Sequence, residues 1–361
     1  MSNKLRIGVI GTGGIAVARH IPAYLNCAQA GAAEVVAVCD ALPESARRAA
    51  EQFQIPRVYD DWQRMLAEGD LDLISICTPN VYHEPISLAA LESDLHVLCE
   101  KPIAMSYPGA KRMWDAARAS GRQTAVNFRY RWIPAAGFVR DLIQGGELGE
   151  IYHVYVNYFN GGMHAPNTPM RWRQVKAEAG SGALGDLASH LVDLCRFWIG
   201  EISAVTGHLR TFVTERPLIN GGRGTVDVDD ATTFFTRFQN GAEGVFNASR
   251  CAIGRGNHQR AEIYGTKGAV IYEIEKADRG GDRVQLCLGD GQARYLSFAT
   301  AEVPAPYLAG NPERPMIDFV EAVRTGRPHA PNFEDGARCQ EILEAVEISS
   351  QEERTVRLPL G

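Results

Sequence analysis

Two hydropathy patterns divide the chain. Up to about residue 127, short and nearly continuous apolar runs, "KLRIGVI", "EVVAVCD", "DLISICTPN", "LHVLCEKP" and "QTAVNF", read as buried strands. Between them "YHEPISLAALES" and "YPGAKRMWDAARASG" carry helical spacing. Apolar strands separated by helices predict a parallel sheet covered on both faces. From residue 128 the runs lengthen and alternate, as in "EIYHVYVNYFN", "AVTGHLRTFVTE", "ATTFFTRFQNGAEGVFNAS", "RAEIYGTKGAVIYEI" and "RVQLCLGDGQARYLSF". Alternation predicts half-buried strands, and Asn240-Gly241, Lys267-Gly268 and Asp290-Gly291 supply the turns of antiparallel hairpins. The expected architecture is α/β. A doubly wound parallel sheet (Rossmann type) occupies 1–127, and an α+β domain with a large, open, mostly antiparallel sheet occupies 128–361, its last helices able to pack back on the first domain.

One helical stretch carries a second pattern. In "SGALGDLASHLVDLCRFWIG", Leu187, Leu191, Leu194 and Trp198 form an apolar stripe. Asp186, His190 and Asp193 fall at about 0°, 40° and 340° on a helix of ~3.6 residues per turn, beside that stripe rather than opposite it. Asp186 reads either as a helix cap, accepting from Ala188 or Ser189 with His190 and Asp193 solvated, or as part of a working polar column.

With 361 residues, 45% of them hydrophobic, the chain has material for two cores. A formal charge of −6 without a basic run excludes the electrostatic footprint of a nucleic-acid or membrane-surface binder, so the expected partner is a small molecule. An N-terminus that leads straight into a strand, and the lack of any long apolar stretch, predict a cytoplasmic protein. Eight cysteines scattered singly without CxxC read as buried reduced thiols. Asp227, Asp229 and Asp230 lack further oxygen ligands at recognisable spacing, so no metal is expected. "NGGRGTVDVDD" (220–230) reads as a mobile loop.

Candidate chemistry begins at Gly11-Thr12-Gly13-Gly14-Ile15-Ala16, a G-x-G-x-x-A pattern. Gly11 suits a tight turn, Gly13 lets backbone approach a pyrophosphate, and Ala16 lets helix and strand pack closely. Helical spacing then continues through Ile15, Ala18, Ile21 and Leu25. A second strand ends at Asp40, 24 residues beyond Ala16, where a carboxylate binds ribose hydroxyls and repels a 2′-phosphate. Ala41 and Leu42 follow, so no arginine stands immediately beyond Asp40 to hold a 2′-phosphate, although Arg47 and Arg48 lie a turn or two away; NAD is favoured over NADP. Other polar groups stand at strand ends, where ligands of such sheets bind: Thr78 and Asn80, Glu100-Lys101-Pro102, and Asn127-Phe128-Arg129. Lys101 is a candidate acid/base or substrate-orienting group.

Together these segments resemble the glucose/fructose oxidoreductase, inositol dehydrogenase (Gfo/Idh/MocA) family. The resemblance rests on "GVIGTGGIA", "CTPNVYHEPISLAAL", "HVLCEKPIA", "NFRYRWIPA" with "GELGEI", "GALGDLASHLVDLCRFWIG", and "NGAEGVFNASR" with "IYGTKGAV", in order over roughly residues 5 to 345. It implies that Lys101 is the lysine of the EKP motif, whose lysine-proline bond is often cis, and that Asp186 and His190 are the D-x-x-x-H pair. It implies cofactor contacts at Gly11, Thr12, Gly13, Gly14, Ile15, Asp40, Thr78, Asn80, His83, Glu100, Lys101 and Asn127. Trp172 and Arg173 are expected beside nicotinamide or substrate. Ala188 replaces a frequent family glycine, and Gly180-Ser181-Gly182 replaces a glycine triplet, leaving a loop expected to be flexible. Arg129 and Tyr130, with Arg131, Asn160 and His164, suit a polyhydroxylated ligand. Asp193 is expected to orient His190 or to act as a structural hydrogen-bond partner. The resemblance also implies a homodimer or homotetramer formed through the sheet of the second domain.

The function expected is NAD-dependent oxidation of a secondary hydroxyl in a sugar, inositol, anhydrosugar or related polyol, or the reverse. Lys101, Asp186 and His190 are the catalytic groups. Two other readings stay open at this point: a glycosidase that retains NAD, and a non-catalytic dinucleotide sensor or corepressor.

Overall fold

A computed structural model describes residues 4–275, 282–289, 297–308 and 313–360; the expected turn at Asp290-Gly291 lies outside them. The chain forms two compact units, Met1–Arg129 with Pro312–Gln340, and Tyr130–Asn311 with Glu341–Gly361.

In the first unit the apolar runs become β1 (Leu5–Ile10), β2 (Ala33–Cys39), β3 (Arg57–Tyr59), β4 (Leu73–Ile76), β5 (His96–Cys99) and β6 (Thr124–Val126). They pair in parallel in the order β3-β2-β1-β4-β5-β6, the doubly wound arrangement expected. Helices α1 (Ile21–Gln29), α2 (Pro43–Phe53), α3 (Trp62–Glu68), α4 (His83–Glu92) and α5 (Tyr107–Ser120) connect them. Ser106 caps α5 through its hydroxyl and Pro108 enters its first turn, a start signal written in the sequence. The glycine loop runs into a π-helical turn, Ala16–His20, before α1. That wide turn rotates the helix, so the buried face is Ala16, His20, Ala23, Tyr24 and Cys27, and Ala18 of the expected stripe is exposed.

The second unit contains helices α6 (Pro134–Gln144), α7 (Lys176–Ala179) and α8 (Ser189–Trp198). Its strands are β7 (Ile151–Phe159), β8 (Ile202–Arg210), β9 (Glu215–Pro217), β10 (Arg223–Thr225), β11 (Ala231–Phe238), β12 (Glu243–Ser249), β13 (His258–Gly265), β14 (Gly268–Ile274), β15 (Arg283–Leu288), β16 (Ala299–Ala301) and β17 (Val356–Arg357). Nine strands form one sheet in the order β16-β15-β14-β13-β7-β12-β11-β8-β17, antiparallel except for the β7–β12 pair. Helices α9 (Arg314–Thr325) and α10 (Phe333–Glu352) follow; α9 belongs to the first unit and α10 runs through both segments.

Register explains the alternation. Across the sheet, Phe234, Phe246, Val156, Ala261, Tyr272 and Val284 stand opposite one another and all are buried. One residue along, the row Phe235, Val245, Tyr155, Glu262, Ile271 and Gln285 points the other way, with Phe235 60% and Tyr155 44% exposed. The apolar stripe of α8 lies on the buried side. Leu187, Leu191, Leu194 and Trp198 are buried, the Trp198 indole N–H donates to Ala136 O of α6 at 3.0 Å, and its ring stands edge-on to Tyr272 at 5.2 Å.

Among the described residues all eight cysteines are free, and no helix is long and apolar enough to cross a membrane. The segment read as a mobile loop is instead pinned: Arg223–Thr225 forms β10 against β9, and the three aspartates beyond it accept backbone amides.

Candidate active site

In the first unit β1 ends at Gly11, whose φ is +88°. A Cβ there would stand 2.7 Å from the Cys77 carbonyl, so only glycine lets the loop turn this close to the end of β4. Around Gly13 and Gly14 a Cβ would meet nothing within 4 Å, leaving open space over the turn where backbone can approach a ligand. Asp40 closes one side. Its Oδ2 accepts Thr12 N at 2.8 Å and Thr12 Oγ1 at 2.9 Å, and its Oδ1 accepts Leu42 N at 2.9 Å. The carboxylate is thus tied to the glycine loop, with lone pairs to spare for a hydroxylated ligand.

The ends of β4, β5 and β6 carry the other groups. Two buried polar atoms, Thr78 Oγ1 and Asn127 Oδ1, make no hydrogen bond among the described residues. Buried polar atoms of this kind are ordinarily satisfied, so the pair fits a polar ligand group. Open glycines, a carboxylate beside them and two unsatisfied polar atoms at strand ends together match what a dinucleotide requires. Glu100 and His83, expected as cofactor contacts, are engaged within the protein. Glu100 Oε1 accepts His20 Nε2 at 2.9 Å and Asn127 Nδ2 at 2.6 Å, and His83 Nδ1 lies 2.8 Å from Pro102 O. Lys101 stands between these anchors, half-buried, and the Lys101-Pro102 bond is cis.

In the second unit the loop before α8 is built by Asp229. Its buried carboxylate accepts Gly182 N at 2.6 Å and Leu184 N at 2.8 Å, and Ala183 N donates to its carbonyl. A Cβ on Gly182 would lie 1.7 Å from that carbonyl oxygen, so the glycine is required by close backbone packing rather than by the flexibility expected of it. Burial pushes the Asp229 carboxyl up from its ordinary range, opposed by Arg250 and the two amides.

Leu184–Ala188 is a second π-helical turn, and Asp186 lies within it, its own N–H bonded to Gly182 O. The capping role considered for Asp186 is therefore absent. Its carboxylate forms an ion pair with Arg250, Nε to Oδ2 at 3.5 Å. Of the two roles expected for Asp193, the structure shows a structural partnership: its oxygens accept Arg131 Nε at 2.9 Å and Nη2 at 2.6 Å. Arg131 is consumed in that buried pair and lies over Phe197, so it is not a free wall of a ligand site.

His190 is buried against two tyrosines. The Tyr130 ring stands perpendicular to it at 4.6 Å, and the Tyr158 ring lies at 6.2 Å. The hydroxyls are closed into a ring by Asn257. Tyr158 donates to Asn257 Oδ1 at 2.5 Å and Asn257 Nδ2 donates to Tyr130 at 2.8 Å, so Tyr130 donates to Tyr158 at 2.8 Å. Tyr130, expected to meet substrate, thereby forms the wall that fixes the imidazole.

Trp172 and Arg173 are held near Asp186 by Arg250, whose Nη1 donates to Arg173 O at 3.1 Å. The Arg173 guanidinium covers the Trp172 ring at 4.2 Å. Arg216, fully buried, donates to the carbonyls of Met163 and Ala165 and anchors the segment that precedes them. Asn160 donates to Gly256 O and His164 contacts Gly161 O, so both brace this loop. Arg250 escaped the sequence reading although its signal was present: it continues the buried phase of Phe246 and Ala248. Arg216, in a three-residue strand, gave none. Among the described residues no cluster of His, Cys, Asp or Glu is arranged to hold a metal ion.

Comparison with known proteins bears on the family and the fold. Residues 5–128 match a model described as an oxidoreductase family with an NAD-binding Rossmann fold, and 138–271 match the GFO/IDH/MocA C-terminal domain. The chain belongs to the Gfo/Idh/MocA oxidoreductases. Levoglucosan dehydrogenase of Pseudarthrobacter phenanthrenivorans is 34% identical over 389 aligned positions, covering 99% of this chain and 98% of the relative. D-glucoside 3-dehydrogenase of Escherichia coli is 34% identical over 211, covering 57% of this chain and 58% of the relative. A solved levoglucosan dehydrogenase in complex with NADH and L-sorbose superposes with a TM-score of 0.91 at 34% identity, covering 99% of both chains.

For a member of this family the first unit is the NAD-binding Rossmann domain. In the second unit, an imidazole fixed by an aromatic wall and a carboxylate held by a buried guanidinium share one helix. An imidazole and a carboxylate so placed are groups able to exchange a proton and accept a hydrogen bond from a hydroxylated ligand.

Proposed function

We propose that this protein is an NAD-dependent dehydrogenase acting on a secondary hydroxyl of a sugar, anhydrosugar, inositol or related polyol, or on the matching keto-sugar. When bound, NAD supplies a nicotinamide C4 that accepts the hydride. His190 takes the hydroxyl proton, Lys101 steadies the oxygen as it becomes negative, and Asp186 holds an adjacent hydroxyl. The observation that carries this reading is the fixed His190–Asp186 arrangement, with Arg250 tying Asp186 to the segment of Trp172 and Arg173. Levoglucosan and D-glucosides, the compounds in the relatives' names, are polyhydroxylated rings and share the vicinal hydroxyls that such a site binds. Asp40 favours NAD over NADP by repelling a 2′-phosphate. We place the protein in the cytoplasm, where its free thiols persist.

The test is NAD-linked absorbance with the purified protein across levoglucosan, glucosides, aldoses and inositols, repeated with NADP. Stoichiometric NADH formation on one class supports the dehydrogenase. Glycoside cleavage without net NADH would move the reading to an NAD-retaining glycosidase, and tight NADH binding without any turnover to a sensor.

We further infer a homo-oligomer through the exposed sheet face of Phe235, Val245 and Tyr155. Phe235→Glu is expected to reduce the molar mass measured by light scattering to that of a smaller species, leaving the melting temperature of the folded chain nearly unchanged. An unaltered assembly would exclude this face.

A further inference from the structure

The mechanism uses Lys101 but leaves two fully buried histidines on either side of it without a role. His20 faces inward from the π-helical turn. Its Nε2 donates to Glu100 Oε1 at 2.9 Å and its Nδ1 lies 2.8 Å from Ser75 Oγ, which also accepts Tyr24 OH at 3.0 Å. The second oxygen of Glu100 accepts the Lys101 amide at 3.2 Å. On the other side, His83 Nδ1 meets Pro102 O at 2.8 Å and its Nε2 meets Thr78 O at 3.1 Å. The residues before and after Lys101 are thus each tied to an imidazole from another element.

We propose that His20 is a positioning residue for Lys101: it anchors the buried Glu100 carboxylate that holds the Lys101 amide, and offsets that carboxylate's charge one residue from the lysine. His83 secures the following peptide in the same way through a carbonyl. The kinetic consequence rests on the dehydrogenase reading; the structural and electrostatic parts do not.

The electrostatics follow from what faces each group. Around His20 stand Cys77 and Ser75 of the β4 region, Tyr24 of α1 and Glu100 after β5. Burial works against a charged ring; Cys77, in so far as its thiol is ionised, and the Glu100 carboxylate oppose it, and the balance raises His20. Burial likewise works against charge on Glu100, yet His20, Lys101 and Asn127 lower it to about 2. With His20 raised and Glu100 lowered at a separation of 2.9 Å, the contact favours a charged pair that offsets the carboxylate beside Lys101. His83 differs. Burial, outweighing its two backbone contacts at Pro102 O and Thr78 O, lowers it and so favours the neutral ring. A neutral donor on one side and a balanced ion pair on the other hold the lysine's neighbours without adding net charge.

Glutamine in place of His20 can still donate to Glu100 but brings no charge. Glu100 then faces Lys101 as an uncompensated buried anion and favours its ammonium form. The measurement is competitive acetylation of the full-length protein with acetic anhydride across a pH series, with Lys101 labelling quantified by mass spectrometry. His20→Gln is expected to raise the Lys101 midpoint by about one pH unit, and His20→Gln/Glu100→Gln to restore it. An unmoved midpoint in the single variant, or a midpoint still raised in the double, overturns the proposal. If the single variant does not fold, nitrogen NMR of the wild-type imidazoles decides. An imidazolium at His20 persisting above about pH 8 supports the pair, and a neutral ring at about pH 7 refutes it. Neither arm needs turnover. A raised midpoint in a protein inactive on every polyol would therefore sink the dehydrogenase reading and leave the role of His20 standing.

Discussion

Replacing His190 with alanine is expected to lower turnover on the identified polyol by about 10²- to 10⁴-fold, the range that a positioned proton acceptor contributes. NADH affinity should hold, because the glycine loop, Asp40, Thr78 and Asn127 all lie in the other unit. Lys101→Ala is expected to cost turnover on a similar scale. The two losses should combine less than multiplicatively if both groups act on one oxygen. Stopped-flow measurement of the hydride step with NADH fluorescence titration separates these effects. Full single-turnover rates in either variant would remove that residue from the chemistry.

The second large effect is expected at Arg250. Its guanidinium is buried, pairs with Asp186 at 3.5 Å, donates to Arg173 O and opposes the buried Asp229. Arg250→Met preserves bulk while leaving Asp229 without its cation, a change that typically destabilises by about 3–5 kcal/mol. The pH dependence has a definite sign. Asp229 already has its pKa raised by burial, and losing the arginine raises it further, so the folded state binds a proton more tightly than the unfolded chain does. Destabilisation should shrink as pH falls and Asp229 protonates. Urea melts of wild type and variant at about pH 5 and about pH 8 test this. An equal loss at both values would mean that Asp229 does not depend on Arg250. Arg250→Lys keeps the charge but loses the forked donors, and should recover part of the stability without regaining the hold on Arg173.

The periodicity of apolar positions made both sheets legible. Near-continuous runs marked strands buried on two faces, and the alternation of Phe234 with Phe235 or Val154 with Tyr155 marked strands with one covered face. Lys101, Asp186 and His190, the groups proposed for the chemistry, could be singled out because each sits in a spaced motif. The π-helical turns were not. A reading at 3.6 residues per turn placed Ala18 on the inner face of the first helix, whereas the wide turn exposes it and buries His20. The same widening at Leu184–Ala188 takes Asp186 off the cap. The anchoring carboxylates were hidden for another reason. Asp227, Asp229 and Asp230 look like a surface acidic run until the strand geometry shows each accepting a backbone amide from a distant segment.

Helix α9 carries a consequence for the order in which the molecule can be made. Met316, Phe319 and Val320 belong to the same core as Val9, Ile21, Tyr24 and Leu73. During synthesis the first 129 residues emerge with their strands and glycine loop complete, yet with a hollow where those three side chains belong. The nucleotide-binding half of the chain is therefore begun first and sealed late. Its nascent form exposes an apolar gap for as long as the ribosome takes to translate eight of the nine strands of the second sheet. A nascent chain of this kind presents a client surface to a chaperone, and a stop codon before Arg314 would damage the end of the protein translated first.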